Sequence, residues 1–113
     1  MGTPGDDDIT GTPGDDVIVG LGGNDRILGL GGDDTICGGG GDDRLVGGSG
    51  ADLIIGGEGA DYIAGDAGED VLVGSAGDDR IRGGEDNDKL DGKDGVDECR
   101  AGAGTDTVVN CEL

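Results

Sequence analysis

Aliphatic side chains recur along this chain at a fixed interval of nine residues: Ile9, Ile18, Ile27, Ile36, Leu45, Ile54, Ile63, Leu72, Ile81 and Leu90. The interval continues through Cys99 to Val108. Each of these residues is the middle of a short β-prone stretch such as Arg44-Leu45-Val46. Alternation along a strand places the middle side chain on one face and its two neighbours on the other. The pattern therefore predicts a series of three-residue strands, each with one inward side chain. The six residues between strands, such as Gly38 to Asp43, are glycine-rich and predict turns, because glycine accepts positive φ and lets backbones approach.

Cutting the chain every nine residues from Gly2 yields twelve repeats without an insertion, ending at Val109. The sixth position is aspartate in every repeat: Asp7, Asp16, Asp25, Asp34, Asp43, Asp52, Asp61, Asp70, Asp79, Asp88, Asp97 and Asp106. The first position is glycine except at Ala101, and the fourth is glycine except at Asp86. Composition alone points elsewhere. With 27 acidic against 7 basic residues and 30 glycines, the chain reads as an acidic, low-complexity segment without a core. The register overrules that reading, since a disordered tail has no use for a fixed nine-residue phase.

The phrase resembles the RTX (repeats-in-toxin) nonapeptide G-G-x-G-x-D-x-U-x, in which U is a large aliphatic residue. The resemblance covers residues 2–109. It implies an all-β fold, a right-handed parallel β-roll (a β-solenoid) with two nonapeptide repeats per coil and about six coils. It also implies a single domain over residues 1–113, with residues 110–113 as a C-terminal cap. One sheet would then bring Ile9, Ile27, Leu45, Ile63, Ile81 and Cys99 to the core, and the other Ile18, Ile36, Ile54, Leu72, Leu90 and Val108.

Such a core is one side chain thick, and stacked coils would line up the sixth-position carboxylates ~4.8 Å apart in columns of like charge. A cation between them is the physical remedy. Calcium suits oxygen-only sites of flexible geometry, whereas magnesium keeps its waters. There is no histidine, and the three cysteines fall outside the repeating position, which leaves little for a transition metal.

The resemblance implies a ligand set shared by loops eighteen residues apart. The first loop would give the carbonyls of its second and fourth residues: Thr3 and Gly5, Thr12 and Gly14, Leu21 and Gly23, Leu30 and Gly32, Gly39 and Gly41, Gly48 and Gly50, Gly57 and Gly59, Asp66 and Gly68, Ser75 and Gly77. The second loop would give carbonyls of its first and third residues: Gly20 and Gly22, Gly29 and Gly31, Gly38 and Gly40, Gly47 and Ser49, Gly56 and Glu58, Gly65 and Ala67, Gly74 and Ala76, Gly83 and Glu85, Gly92 and Asp94. Each sixth-position aspartate would place one oxygen on the ion below and one on the ion above. About ten calcium ions would offset the formal net charge of -20. The final set, Gly84, Asp86, Asp88, Ala101, Ala103 and Asp106, departs from the pattern at Asp86 and Ala101. The fifth-position acids Asp6, Asp15, Asp33, Asp42, Glu69 and Asp78 alternate with other residue types and read as solvent-facing charge.

Other functional classes fit less well. The acidic balance disfavours nucleic acid and anionic membrane as partners. The EF-hand loop and the collagen triplet are both unmatched. With no histidine and only Ser49 and Ser75 as serines, the chain reads as a binding module rather than an enzyme. Met1 runs straight into the pattern, which reads as a mature region or an excised piece without a signal peptide. Cys99 and Cys111 are placed for a disulfide across the C-terminal core end, and a disulfide suits an exported, extracellular setting where calcium is plentiful. The outward positions of the even repeats (Val17, Val19, Leu53, Ile55, Val71 and Val73, with Cys37 among them) form a mostly aliphatic face that predicts docking to a second copy or an adjoining domain. The competing reading is a structural β-roll protein that assembles into filaments or a surface layer.

Overall fold

The computed structural model describes residues 2–111. It contains β1 (Asp8–Thr10), β2 (Val17–Val19), β3 (Arg26–Leu30), β4 (Thr35–Gly39), β5 (Arg44–Ser49), β6 (Leu53–Glu58), β7 (Tyr62–Ala67), β8 (Val71–Ala76), β9 (Arg80–Gly84), β10 (Lys89–Asp91), β11 (Glu98–Gly102) and β12 (Thr107–Val109). Among the described residues there is no helix. Odd-numbered strands form one 6-stranded sheet in the order β1-β3-β5-β7-β9-β11, and the even-numbered strands form a second 6-stranded sheet. Every pairing is parallel and in step with the repeat: Ile27 pairs with Leu45, Leu45 with Ile63, and Ile36 with Ile54. Two repeats therefore make one coil, and the coils stack into a β-solenoid. The slab measures 36 × 31 × 13 Å, so its thin dimension holds the two sheets and a single layer of side chains.

That layer is the aliphatic row. Ile27, Ile36, Leu45, Ile54, Ile63, Leu72 and Ile81 are fully buried, as the eighth position requires. Ile9 and Val108 are only partly buried, because among the described residues no further coil covers the first and last strands. Cys99 takes the core position in β11 and is disulfide-bonded to Cys111, with Cα atoms 5.8 Å apart. Cys111 packs against the aliphatic cluster, so the covalent link folds the chain end back over it. The last two residues of the expected cap, Glu112 and Leu113, lie outside the described residues.

The turns need left-handed backbone at the second and fourth positions, as at Gly39 (φ 100°) and Gly41 (φ 96°). Leu21 (φ 78°) and Leu30 (φ 82°) adopt the same conformation without being glycine, which is strained and is held by the stack on either side. The first two loops differ. In them the second residue is threonine followed by Pro4 or Pro13, and a residue before proline is pushed to extended backbone.

Candidate metal-binding rows

Each turn carries its sixth-position aspartate into the gap between coils. Asp25, Asp34, Asp43, Asp52, Asp61, Asp70, Asp79, Asp88 and Asp97 are buried, while Asp7, Asp16 and Asp106 at the two ends are half-buried. One carboxylate oxygen of each is committed to the backbone one coil earlier. The Asp25 N–H donates to Asp43 Oδ1 at 2.8 Å, the Asp43 N–H to Asp61 Oδ1 at 2.8 Å, and the Asp61 N–H to Asp79 Oδ1 at 2.8 Å. The other edge repeats this from Asp34 through Asp52 and Asp70 to Asp88. The aspartates thus form two rails in which each amide is bonded by the carboxylate of the next coil.

The second oxygen has no such partner. The Oδ2 atoms of Asp25, Asp34, Asp43, Asp52, Asp61, Asp70, Asp79, Asp88 and Asp97 are buried and make no hydrogen bond. A buried, unpaired carboxylate oxygen is costly, and nine of them in two aligned rows point to a bound cation. The surroundings of Oδ2 fit one. A Cβ placed on Gly56 would lie 2.6 Å from Asp61 Oδ2 and 2.8 Å from the Gly74 carbonyl oxygen. The first-position glycine is therefore required for space, not for φ: it leaves open a cradle between a carboxylate oxygen and a carbonyl of the next coil. Gly38 does the same between Asp43 Oδ2 and the Gly56 carbonyl, and Gly83 between Asp88 Oδ2 and the Ala101 carbonyl. Among the described residues, no three His, Cys, Asp or Glu side chains converge. Any cation here is held by carboxylate and carbonyl oxygens in combination, a hard donor set that suits calcium.

Among the expected ligand residues, Asp25, Asp43 and Asp61 share their cradles with the first-position carbonyls one coil on, those of Gly38, Gly56 and Gly74. Several second-position carbonyls also accept a hydrogen bond: those of Leu21, Asp66, Ser75 and Gly84 accept the N–H groups of Gly40, Glu85, Asp94 and Ala103, which leaves each a second lone pair. Within each buried sixth-position carboxylate, Oδ1 accepts an amide N–H and Oδ2 is unpartnered. At the N-terminal end the carboxylates are satisfied within their own loops. Thr3 donates its N–H to Asp7 Oδ2 at 2.6 Å and its hydroxyl to Asp7 Oδ1 at 3.0 Å, and Thr12 does the same for Asp16.

The fifth position has a role that its residue types understate. The Asn24 N–H donates to Asp6 Oδ1, the Asp42 N–H to Asn24 Oδ1, and the Ala60 N–H to Asp42 Oδ1. Asp15, Asp33, Asp78 and Asn87 accept in the same way. These side chains are exposed, as expected, but they are also rungs of an outer ladder. The interchange of Asp and Asn at this position was the available signal, because the two share an acceptor oxygen and not a charge.

Burial sets the electrostatics. It raises the Asp61 and Asp70 carboxyls to about 7, and those of Asp43, Asp52 and Asp79 to about 6; the amide hydrogen bond to each opposes the rise, and neighbouring carboxylates add to it. Without a cation, the middle of each rail resists ionisation close to neutral pH.

The family described as RTX calcium-binding nonapeptide repeat (4 copies) matches residues 1–36, 38–72 and 73–108. No curated protein and no solved structure matches the chain.

Proposed function

We propose that this chain, which belongs to the RTX calcium-binding nonapeptide repeat family, is an extracellular module that folds when it binds calcium. Repeats of this family bind calcium. The observation that carries the finer reading is the two rows of buried Oδ2 atoms without a hydrogen-bond partner, five on one rail and four on the other, with first-position carbonyls of the next coil beside them. Calcium would be held in each cradle by the sixth-position carboxylate and that carbonyl. The remaining turn carbonyls, such as those of Gly41 and Glu58 beside Asp43 and Gly56, would complete the 6–8 oxygens the ion takes. The ion would supply positive charge to carboxylates that the chain itself leaves uncompensated.

Folding on binding follows from the balance of forces. The core is a single aliphatic layer, and the formal net charge of -20 repels the coils from one another. Calcium removes the repulsion and ties successive coils together, so assembly is cooperative along the rails. Affinity in the extracellular-module range, ~10⁻⁴–10⁻³ M, suits a protein that stays unfolded where calcium is scarce. The Cys99–Cys111 disulfide supports an oxidising, exported setting. The role is binding and not catalysis, since the buried carboxylates are taken up by the cradles and amides. A titration with calcium followed by circular dichroism tests this reading. β-rich spectra appearing only with calcium support it, and β-rich spectra persisting in excess chelator overturn it.

The second reading is an assembling structural protein. It is favoured by the outer face of the even sheet, where Val17, Leu53 and Val71 are 78%, 37% and 39% exposed. Mass in calcium for the parent and for Leu53→Lys with Val71→Lys decides it: equal, monomeric masses exclude self-association through this face.

A further inference from the structure

The outer face of the odd sheet differs from everything else on this acidic protein. All five arginines, Arg26, Arg44, Arg80, Arg82 and Arg100, project from it. One column reads Asp8, Arg26, Arg44, Tyr62, Arg80, Glu98, each residue paired in register with the next. Arg44 lies over the Tyr62 ring at 5.0 Å, and Arg80 and Arg100 approach Glu98 at 3.9 and 3.5 Å. Among the described residues Arg26, Arg44 and Arg82 have no carboxylate partner.

A row of cations with the ~4.8 Å period of stacked coils is matched best by a row of anions with the same period. This protein carries one. The loops of the even repeats place Asp15, Asp33, Ala51, Glu69 and Asn87 in one column along the edge of the slab, and all five are exposed. The coil-by-coil spacing of that column is fixed by the Asp33 N–H bond to Asp15 and the Ala51 N–H bond to Asp33. The two columns share one pattern: two charges on adjacent coils, a neutral residue, then a third charge.

From this match we infer that the arginine face receives the even-loop edge of a second copy of this chain, with the two solenoid axes parallel. Asp15 then meets Arg26, Asp33 meets Arg44, Ala51 lies over Tyr62, Glu69 meets Arg80, and Glu98 meets the neutral Asn87. Sliding the copies by one coil in one direction leaves a single pair and sets Asp8 against Asp15. Sliding the other way leaves a single pair and sets Glu98 against Glu69. The register is therefore specified by charge, with like-charge contacts acting against the alternatives. The two surfaces are different parts of the chain, so the contact is heterologous and propagates from copy to copy. It goes beyond calcium binding but requires the folded, calcium-neutralised state, since copies at a net charge of -20 repel.

The test combines mass with circular dichroism in calcium, so that loss of folding and loss of association are read separately. The parent forms species larger than a monomer. Arg26→Glu with Arg44→Glu and Arg80→Glu alters only outward side chains, keeps the calcium-induced spectrum, and weakens association at least about tenfold. Adding Asp15→Lys, Asp33→Lys and Glu69→Lys to that variant restores association, because every pair is then reversed. High salt, which shortens electrostatic range to ~3 Å at 1 M, dissociates the parent without unfolding it. A monomeric parent in calcium overturns the inference, as does an arginine variant of unchanged mass or a doubly reversed chain that stays monomeric. Polyglutamate binding to a monomeric parent, lost in the arginine variant, would assign the face to an acidic peptide instead.

Discussion

Replacing Asp61 by asparagine should move stability in opposite directions with and without calcium. Asp61 Oδ1 accepts the Asp43 N–H at 2.8 Å, and asparagine keeps that acceptor. Oδ2 has no hydrogen-bond partner and faces the Gly74 carbonyl across the cradle beside Gly56. An amide NH₂ in its place removes a buried charge and can donate to that carbonyl. In chelator at pH 8 the wild-type carboxyl, raised from 3.8 to about 7, must ionise at a cost to the fold. At 1.36 kcal/mol per pKa unit the upper figure is about 4 kcal/mol, and solvent relaxation around a loop carboxylate brings it to roughly 2 kcal/mol. Asp61→Asn should recover that amount in the metal-free roll. With calcium at about 100 times its dissociation constant, each site lost forfeits about 2.7 kcal/mol, which outweighs the gain. The assay is circular dichroism, with trimethylamine oxide driving folding in chelator and calcium driving it otherwise. The variant should need less osmolyte and more calcium than the parent. An unchanged calcium midpoint would refute the cradle, and a higher osmolyte requirement would refute the electrostatic account.

Three further outcomes are expected. In chelator, osmolyte-driven folding should become easier as pH falls from 8 toward 4. The raised Asp43, Asp52, Asp61, Asp70 and Asp79 carboxyls favour the folded state fully below 3.8 and lose that contribution as pH rises through about 6 to 7, whereas in calcium the midpoint should worsen with acid because protons compete for Oδ2. Asp7→Ala should shift the calcium midpoint far less than Asp61→Ala, since Asp7 is half-buried and bonded to Thr3 while Asp61 Oδ2 is buried and unpaired; equal shifts on titration would count against this. Reducing Cys99–Cys111 should cost about 3 kcal/mol at the C-terminal end, read as a higher calcium midpoint that Cys99→Ser with Cys111→Ser reproduces without reductant.

The fold was legible because each repeat pairs with a near-copy of itself. In most sheets the partner of a strand lies at a distance that sequence does not reveal. Here the resemblance to the RTX repeat, with two repeats to a coil, implied that the partner of Leu45 is the aliphatic residue eighteen positions on, and it is Ile63. The sorting of core residues into two sheets followed from the same resemblance, and strand alternation then put the arginines outward. The disulfide was legible because Cys99 stands in an aliphatic register position and Cys111 comes just after the twelfth repeat. The hydrogen-bond roles of the loops were not. Periodicity says that a residue recurs, not which of its atoms is used. Nothing in the repetition of Asp separates Oδ1, which bonds an amide, from Oδ2, which does not. The Thr-Pro loops of the first two repeats look like ordinary variants until the Thr3 and Thr12 hydroxyls are seen on Asp7 and Asp16.

The exceptions to the glycine pattern carry the same physical logic as the rule. A first-position glycine is needed where its missing side chain makes room for a carboxylate oxygen and for a carbonyl of the following coil. Gly83 and Gly92 meet that condition: added methyl groups would run into the Ala101 and Asn110 carbonyls. Ala101 opens the twelfth repeat, and the aspartate of that repeat, Asp106, is half-buried and absent from the buried unpaired oxygens. Alanine thus stands at a first position whose aspartate is not among the buried, unpaired ones. Gly56→Ala, by contrast, would place its methyl between Asp61 Oδ2 and the Gly74 carbonyl, filling the space a cation would need. First-position glycine and sixth-position aspartate thus work as a pair: the missing side chain leaves the space, and the carboxylate sets an unpaired oxygen beside it.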